Sequence, residues 1–424
     1  MKRIAILSAH SCPLAALGGK ETGGMNVYVR EVSREMGRLG IKVDVFTRSQ
    51  NPHISQIVRL GRNARVIHLK AGPEEPVPKN DLLKYLPEFT SGIIQFAGEK
   101  NIAYDLVHSH YWLSGWVGGQ LKREWSIPLV HMFHTLGVLK NSVSRRRGEK
   151  ESGGRLKVEE QIMGYADFVI APSPWEREQM IMRHGARRSK IHVIPCGVDL
   201  SLFKPIPSSR ARKILGLSER EFILFVGRID AIKGIDVLIR ALHRISRKPW
   251  KGSQDLGLII IGGELDADSR AESQEMQRLR KMVARMNLQE RVAFWGAQRQ
   301  NLLPYFYSAA KALILPSRYE SFGMVALETM ACGTPVIASR VGGLQYTVED
   351  NRTGFLVAEG DWGALAEKIR EVVENPFLRE QLTAAALVKV KKFSWPMVTQ
   401  KILSLYESIK KAQVVRREGV RSEK

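Results

Sequence analysis

Short apolar runs alternate along the chain with longer segments whose apolar residues recur at helical spacing. In the first half the runs predict strands at Ile4–Ser8, Val43–Thr47, Leu106–His108, Leu129–His134, Phe168–Ala171 and His192–Pro195. In the second half they predict strands at Phe222–Val226, Gly257–Ile261, Val292–Trp295, Ala312–Leu315 and Pro335–Ala338. Strands that are apolar throughout are buried on both faces, so the pattern predicts parallel sheets covered by helices.

The segments between these runs predict amphipathic helices, at Met25–Leu39, Leu156–Tyr165, Gly234–Ile245, Glu272–Met286, Leu302–Ala310 and Phe322–Ala331. A last helix is predicted over about residues 393–412, because Trp395, Val398, Ile402, Leu405 and Ile409 recur at helical spacing. We expect it to pack back on the N-terminal domain. The polar residues 413–424 predict a disordered tail.

The α/β pattern runs twice, which divides the chain into two domains. The length of 424 residues fits two domains of about 200 residues each. Ile194–Pro207 is rich in proline and glycine and separates the two runs, so we place a hinge there. We predict two doubly wound, Rossmann-like domains, residues 1–198 and 199–392, which face each other across a cleft that holds the active site.

Composition places the chain among soluble globular proteins, with 44% hydrophobic and 25% charged residues. The longest apolar runs, such as Leu256–Ile261, are far shorter than the ~20 residues of a membrane span. The N-terminal apolar run lacks the length and the cleavage site of a secretory signal. We therefore expect a cytoplasmic protein.

The net charge of +22 indicates an attraction for phosphate-rich molecules. The densest basic groups are Arg145–Arg147, the Arg183–Lys190 segment and Arg416-Arg417, and no aromatic residues alternate with them as an RNA-binding platform requires. We expect no specific nucleic-acid partner. Peripheral contact with an anionic membrane surface stays open, and the sequence gives no indication of oligomeric state.

Three cysteines lie far apart without paired spacing, at Cys12, Cys196 and Cys332. This distribution argues against a disulfide framework and against a cysteine zinc site. Cys332 lies in an apolar helical stretch, where a packed thiol is expected.

The first candidate binding element follows the first strand. There the loop Ser11–Thr22 leads to Gly23-Gly24 at the start of a helix, where backbone N–H groups can approach an anion. The loop has neither the lysine-serine pair of a Walker A motif nor the glycine spacing of a dinucleotide fingerprint. A tight strand-to-helix turn explains the glycines equally well.

The second candidate element is Phe225–Gly234, where a buried strand ends in Gly227 and a loop carries Arg228 and Lys233. Two cations five residues apart at the carboxyl end of a strand can clamp a diphosphate. The alternative is two surface charges, which their position makes less attractive.

The third candidate element is Pro316–Glu328, with Glu320 in a loop and Glu328 inside the following helix. A helix that starts near Phe322 places Glu328 about 9 Å along its axis, roughly the distance from a diphosphate to a ribose. The N–H groups of Phe322, Gly323 and Met324 could hold the β-phosphate. Glu328 lies in an apolar run, where an unpaired carboxylate is costly, so a ligand partner is reasonable; otherwise both glutamates are ordinary helix charges.

Together these elements resemble the retaining glycosyltransferases of the GT-B fold. The group concerned includes the sucrose and sucrose-phosphate synthases and the inositol-phosphate N-acetylglucosaminyltransferase of mycothiol synthesis. The resemblance covers nearly the whole chain and extends to Val341–Leu344, Asn351–Val357 and Phe393–Trp395.

The resemblance implies a nucleotide-sugar donor, with UDP as the expected nucleotide. It implies that Arg228 and Lys233 hold the donor diphosphate, that Glu328 binds the ribose and that Glu320 faces the transferred sugar. It also places Gly24 beside the donor phosphate, Gly323 near the β-phosphate, and His134 against the donor sugar.

On the acceptor side, the residues that match those of the inositol-phosphate transferase are Asn26, Lys79, Tyr111, Thr135 and Arg155. Two cations and a hydroxyl donor suit a phosphate monoester. Lys79 lies in a proline-rich loop, where a solvated lysine is the alternative, and Arg155 could instead pair with Glu159 on a helix surface. Since sucrose-phosphate synthases also bind a sugar phosphate here, the acceptor is expected to be a phosphorylated sugar or polyol.

We expect the reaction to need no metal ion or other cofactor. Asp266-Ala267-Asp268 has metal-binding spacing but follows Gly263-Glu264 in a polar loop away from the clamp. Arg228, Lys233 and the helix end near Phe322 would instead neutralise the departing diphosphate.

Three other classes are weighed against this one. A sugar-nucleotide epimerase on the same fold would need no acceptor pocket. A basic membrane- or nucleic-acid-binding protein would leave Glu320 and Glu328 without a purpose. An NAD-linked oxidoreductase lacks its fingerprint.

Overall fold

The computed structural model describes residues 1–15, 23–144, 150–248, 250, 255–263 and 272–422, with side chains described to residue 409. Contacts divide these residues into two compact units. The first contains residues 1–15, 24–195 and the chain from Trp395 onward, and the second contains Gly23 and residues 196–394. The division between Pro195 and Cys196 lies three residues before the predicted domain boundary.

The first unit is built on one sheet, whose eight described strands run in the order β3-β4-β2-β1-β5-β6-β7-β8. The strands are β1 Arg3–Leu7, β2 Lys42–Arg48, β3 Ile57–Gly61, β4 Ala64–Leu69, β5 Leu106–His110, β6 Leu129–Met132, β7 Phe168–Ala171 and β8 Ile191–Val193. Neighbouring strands are parallel except for the β3–β4 pair at the edge. The residues of β1 from Ile4 to Leu7 have no exposed surface, as expected for a strand covered on both faces.

Helices cover this sheet. They are α1 Gly24–Arg38, α2 Leu86–Glu99, α3 Tyr111–Trp125, α4 Gly137–Val143, α5 Gly153–Tyr165 and α6 Pro174–His184, with 3-10 turns at Lys79–Tyr85 and Arg188–Lys190. The start of α5 is capped by Ser152, whose side chain accepts a hydrogen bond from the Arg155 N–H. Ser173 caps α6 in the same way, and Pro174 follows it at the first helical position.

The second unit has a six-stranded parallel sheet over its described residues, in the order β11-β10-β9-β12-β13-β14. Its strands are β9 Phe222–Val226, β10 Gly257–Ile261, β11 Val292–Phe294, β12 Leu313–Leu315, β13 Val336–Ser339 and β14 Gly354–Val357. Its helices are α7 Ser208–Leu215, α8 Ile235–Arg247, α9 Gln274–Arg285, α10 Leu303–Ala309, α11 Met324–Ala331, α12 Leu344–Thr347, α13 Trp362–Glu374 and α14 Pro376–Val390, with 3-10 turns at Ala231–Lys233 and Lys391–Phe393.

A final helix, α15 Trp395–Ser422, returns to the first unit and packs against α1. The Trp395 ring meets the edge of Tyr28 at 5.7 Å, and Tyr406 Oη hydrogen-bonds His108 Nδ1 at 2.6 Å. The helix was predicted to end near residue 412 and to be followed by a disordered tail. In the structure α15 continues to Ser422.

Each sheet has a topological switch point, on either side of which the chain connections run outward in opposite directions. In the first sheet this point lies between β1 and β5, and in the second it lies between β9 and β12. Open parallel sheets bind ligands beside the carboxyl ends of the strands at such a point. The loops that follow these four strands are therefore the places to look for a site.

Among the described helices, none is both long enough and apolar enough to cross a bilayer.

Candidate functional sites

Two backbone positions at the strand ends of the first unit are unusual. Tyr111, directly after β5, has φ +71°, and His134, just after β6, has φ +61°. Bulky residues rarely adopt this left-handed conformation, and where they do the surrounding structure holds them in it. Both residues were predicted to lie at the site from the sequence.

Arg155 is the centre of the cluster in the first unit. It has no exposed surface. Its guanidinium donates to Tyr111 Oη at 2.9 Å, to the Thr135 carbonyl at 2.7 Å and to Thr135 Oγ1 at 3.1 Å. Its Nε donates to Glu159 Oε1 at 2.7 Å. Arg155 is thus paired with Glu159, as one alternative held, but inside the protein rather than on a helix surface.

Lys79 also belongs to this cluster. Its ammonium lies 3.1 Å from Glu151 Oε1, and the Arg155 Nη1 lies 3.1 Å from the same oxygen. Lys140 donates to that oxygen as well. Lys79 is therefore fixed by a buried carboxylate rather than solvated, and the structure brings together Lys79, Tyr111, Thr135 and Arg155.

Asn26 lies at the start of α1, two residues after Gly24, which is the first residue of that helix. Its side-chain amide donates to Ser11 Oγ and to the Cys12 carbonyl, each at 2.7 Å. These bonds hold Asn26 to the loop after β1. The remaining part of that loop, residues 16–22, lies outside the described residues.

His134 is partly buried and lies beside a group of buried histidines at the ends of β1, β5 and β6, which are His10, His108, His110 and His131. Its Nε2 hydrogen-bonds His110 Nδ1 at 2.9 Å, and its ring meets the edge of Tyr28 at 5.2 Å. Burial, with a smaller contribution from His108, lowers the pKa of His134 to about 3. His134 is therefore a neutral imidazole at neutral pH.

In the second unit, the loop after β9 and the loop after β12 meet through charged side chains. Lys233 pairs with Glu320, the cation from one loop and the carboxylate from the other. Asp230 caps the 3-10 turn at Ala231–Lys233 by accepting from the Ile232 N–H at 3.1 Å. Arg228 lies exposed in the same loop.

The same two loops are joined by a buried ion pair that the sequence did not suggest. Arg318 Nη2 donates to both carboxylate oxygens of Asp236 at 2.9 Å, and the Arg318 guanidinium also donates to the Ala231 carbonyl. Both side chains are almost fully buried. Since this ion pair is desolvated and Arg318 also holds the Ala231 carbonyl, it fixes the loop of Lys233 and the start of α8 against the loop that carries Glu320.

Glu328 differs from expectation in two ways. Helix α11 begins at Met324, with Gly323 as the N-cap at φ +87°, so Glu328 lies about 6 Å along the axis from the first helical residue. Its carboxylate already has a protein partner, because Tyr307 Oη donates to Glu328 Oε2 at 2.8 Å. Its burial therefore does not by itself call for a ligand.

Backbone contacts hold the turn that precedes α11. The Gly343 N–H donates to the Glu320 carbonyl at 2.8 Å, and Thr347 Oγ1 donates to the Phe322 carbonyl at 2.6 Å. A Cβ at Gly343 would lie 2.0 Å from the Ser321 carbonyl oxygen, so only glycine permits this approach. The turn presents the first N–H groups of α11, including that of Met324, which have no partner within the helix.

The predicted residues divide between the two units. Gly24, Asn26, Lys79, Tyr111, His134, Thr135 and Arg155 lie in the first unit, and Arg228, Lys233, Glu320, Phe322, Gly323, Met324 and Glu328 lie in the second. Sequence reasoning did not find Lys140, Glu151, Asp236, Tyr307 or Arg318. Asp266-Ala267-Asp268 and Arg145–Arg147 lie outside the described residues.

Comparison with known proteins follows the same division. Residues 22–202 match the family described as Glycosyltransferase Family 4, and residues 208–388 match Glycosyl transferases group 1. A D-inositol 3-phosphate glycosyltransferase of Acidothermus cellulolyticus is 38% identical over 96% of this chain and 90% of its own length.

Solved structures of glycosyltransferases are also similar to this chain. Sucrose-phosphate synthase from Thermosynechococcus elongatus is 36% identical, with a TM-score of 0.88 over 97% of this chain and 100% of that chain. Anabaena HepE in complex with UDP and glucose is 23% identical with a TM-score of 0.76, over 96% of this chain and 100% of that chain, which shows the fold alone.

Two Rossmann-like α/β domains of this kind define the GT-B class of glycosyltransferases. The chain belongs to the group 1 glycosyltransferases and is an enzyme of that family. The predicted fold class and the resemblance noted in the sequence are therefore confirmed.

Proposed function

We propose that this enzyme transfers a hexosyl group from a UDP-sugar to a hydroxyl of a small phosphorylated sugar or polyol, with retention at the anomeric carbon. One observation carries the acceptor class: the side chains of Lys79, Lys140 and Arg155 gather about a single point in the first unit. Three cations and the Tyr111 hydroxyl suit a phosphate monoester. The names of two relatives, an inositol 3-phosphate glycosyltransferase and a sucrose-phosphate synthase, support the same class.

We assign the donor to the second unit. Arg228 and Lys233 would hold the diphosphate, the N–H groups at Phe322, Gly323 and Met324 would bind its β-phosphate, and Glu328 would accept the ribose hydroxyls. Gly24 would lie beside the donor phosphate. The choice of uridine is based on the complex of Anabaena HepE with UDP and glucose.

In the reaction, the bond between the anomeric carbon and the diphosphate oxygen breaks while the acceptor oxygen attacks from the same face. Arg228, Lys233 and the start of α11 stabilise the charge that develops on the leaving diphosphate. The proton of the acceptor hydroxyl passes to the departing phosphate oxygen. Glu320, which pairs with Lys233 in this structure, would turn to the hydroxyls of the transferred sugar.

His134 has a supporting part in this scheme. Because its pKa is about 3, its imidazole is neutral and can exchange hydrogen bonds with a hydroxyl of the donor sugar. His110 Nδ1, 2.9 Å from His134 Nε2, fixes the orientation of the ring. We propose that His134 positions the sugar, and Asn26 and Thr135 the acceptor.

The decisive experiment measures UDP release from UDP-glucose and UDP-N-acetylglucosamine. Each donor is offered inositol phosphate, fructose 6-phosphate, the two unphosphorylated compounds, or no acceptor. We expect release that depends on one phosphorylated acceptor and is lost with its unphosphorylated form. Product stereochemistry, read by NMR at the anomeric carbon, tests retention.

Matched variants connect this activity to the second unit. Lys233→Ala is expected to lower turnover by about a hundredfold or more, because it removes a charge that stabilises the leaving group. Lys281→Ala removes an equal charge from the exposed face of α9 and should leave turnover unchanged. Full activity in Lys233→Ala would overturn the donor assignment. Conversion of either UDP-sugar into its epimer without any acceptor would replace the transferase with an epimerase.

A further inference from the structure

Glu151 lies at the centre of the three cations and has no part in the scheme above. Lys79 Nζ and Arg155 Nη1 each lie 3.1 Å from its Oε1, and Lys140 Nζ donates to the same atom. Its side chain is only 4% exposed. A single carboxylate oxygen thus occupies the point that all three cations face.

The second observation is the charge balance of the cluster. Lys79, Lys140 and Arg155 supply three positive charges, and Glu151 and Glu159 supply two negative ones. The cluster is therefore left with one net positive charge. A phosphate monoester dianion in place of the Glu151 carboxylate would bring the balance to zero, so a phosphate would neutralise the cluster, which the Glu151 carboxylate does not.

The two carboxylates are held differently. Glu159 accepts from the Gly137 N–H with both oxygens, at 3.1 and 2.9 Å, and from Arg155 Nε, so it belongs to the framework. The backbone of Glu151 is fixed by Asn141, whose side chain exchanges hydrogen bonds with the Glu151 N–H and carbonyl at 2.6 and 3.3 Å. Because these two bonds fix the backbone of Glu151 independently of its carboxylate, side-chain rotation is the movement by which the carboxylate would leave the cations.

We propose that Glu151 is an internal stand-in for the acceptor phosphate: its carboxylate fills the anion site in the unliganded protein and leaves when the phosphate enters. The proposal rests on the proposed function and adds a residue that sets its specificity. Every acceptor must exchange its anion for the Glu151 carboxylate. Replacement of that carboxylate by a dianionic phosphate adds one negative charge to the cluster. Replacement by a monoanionic carboxylate adds none. The site therefore discriminates by charge as well as by shape.

The ionisation of Glu151 agrees with this role. Burial disfavours its charge, but Arg155, Lys140 and Lys79 outweigh burial and lower the pKa of Glu151 to about 2. The residue is an anion at neutral pH, so the substitution Glu151→Gln removes one full charge from the site.

The test measures binding of inorganic phosphate to the full chain by calorimetry, without donor or acceptor. Glu151→Gln is expected to bind phosphate at least about tenfold more tightly than the parent protein, because the competing anion is gone. Glu160→Gln removes one charge from the exposed face of α5, nine residues away, and should bind phosphate as the parent does. Acetate should bind Glu151→Gln but not the parent.

A purely structural role for Glu151 predicts that Glu151→Gln does not strengthen phosphate binding. If Glu151 only holds the three cations in place, Glu151→Gln will bind phosphate equally or more weakly, and the proposal is overturned. Should Glu151→Gln be poorly folded, thermal unfolding decides: phosphate must raise its Tm more than it raises that of the parent, and an equal rise contradicts the proposal. Tighter phosphate binding without transfer to any phosphorylated acceptor would uphold this inference and overturn the proposed function.

Discussion

Tyr307 holds the carboxylate that we assign to the ribose. It is fully buried in α10, and its Oη lies 2.8 Å from Glu328 Oε2. Burial, strengthened by the neighbouring Glu328 charge, raises the pKa of Tyr307 well above its ordinary value. Tyr307 therefore remains a proton donor at all physiological pH values and fixes the direction in which Glu328 points.

Replacing Tyr307 by phenylalanine removes this hydrogen bond with little change in volume. We expect the KM for the donor to rise about five- to tenfold, because Glu328 is no longer oriented, while the turnover number changes little. The KM for the acceptor should not change. Steady-state kinetics check this, with Tyr305→Phe on the same helix as the control; a fall in turnover number alone would contradict a positioning role.

For single residues, the sequence predicts which charged side chains lie near strand ends, but it does not predict the distant residues that pair with them. Lys233 and Glu320 were predicted because each follows an apolar run. Tyr307 and Asp236 were not, since a phenol 21 residues before Glu328 and a carboxylate 82 residues before Arg318 carry no local signal. Glu151 lies in a glycine-rich basic segment whose pattern predicts no element, so its burial could be found only from contacts.

At the scale of elements, the apolar runs located most of the strands. β7, β9 and β10 have the predicted bounds, and other predicted strands differ by one or a few residues at their ends. The strands β3 and β4 were missed. β3 is an edge strand that runs antiparallel to β4 and includes exposed residues, so its sequence lacks the continuous apolar run of a central strand. β14 was quoted as a motif but not predicted as a strand.

The turn at Gly234 shows how an element positions the pair of Lys233 and Glu320. Gly234 has φ +66°, and a Cβ there would lie 2.0 Å from the Pro316 carbonyl oxygen. Glycine therefore lets the loop of Lys233 approach the loop of Glu320 closely enough for their side chains to pair.

Substitution of Gly234 by alanine combines backbone strain with a clash. Gly216 provides the matched control, because its φ of +64° is nearly the same but nothing lies within 4 Å of a Cβ there. We expect Gly216→Ala to cost about 1 kcal/mol of unfolding free energy, and Gly234→Ala to cost more and to weaken donor binding. For both variants, urea unfolding measures the unfolding free energy and donor titration measures donor binding. Equal effects of the two substitutions would show that close packing at Gly234 is unimportant.

At the scale of the whole molecule, buried histidines of the first unit set its response to acid. Burial lowers the pKa of His10, His108 and His134 to about 3 and that of His110 and His131 well below its ordinary value. The unfolded chain, with histidine pKa values near 6.5, takes up protons that the folded unit refuses. Stability is therefore complete above about pH 6.5 and falls as pH decreases toward 3.

We expect the unfolding free energy of the first unit to fall between pH 6.5 and 5, before most carboxylates titrate. Each such histidine contributes a slope of up to about 1.4 kcal/mol per pH unit. Hydrogen exchange of the β5 and β6 amides in urea measures the unfolding free energy of the first unit separately from that of the second. His131→Gln should reduce the slope, whereas the exposed His53→Gln should not; constant stability from pH 7.5 to 5 would exclude the mechanism.

Helix α15 has a consequence for biosynthesis. The hydrogen bond between Tyr406 and His108 joins residues 298 positions apart, and Val398 and Ile402 are fully buried in the first unit. A ribosome therefore has to translate the whole second unit before it can release the helix that completes the first. Until then the nascent first unit carries an uncovered apolar surface, for a time set by the rate of elongation. The described strands of the second unit have all been translated by then, so the first unit is completed only after them.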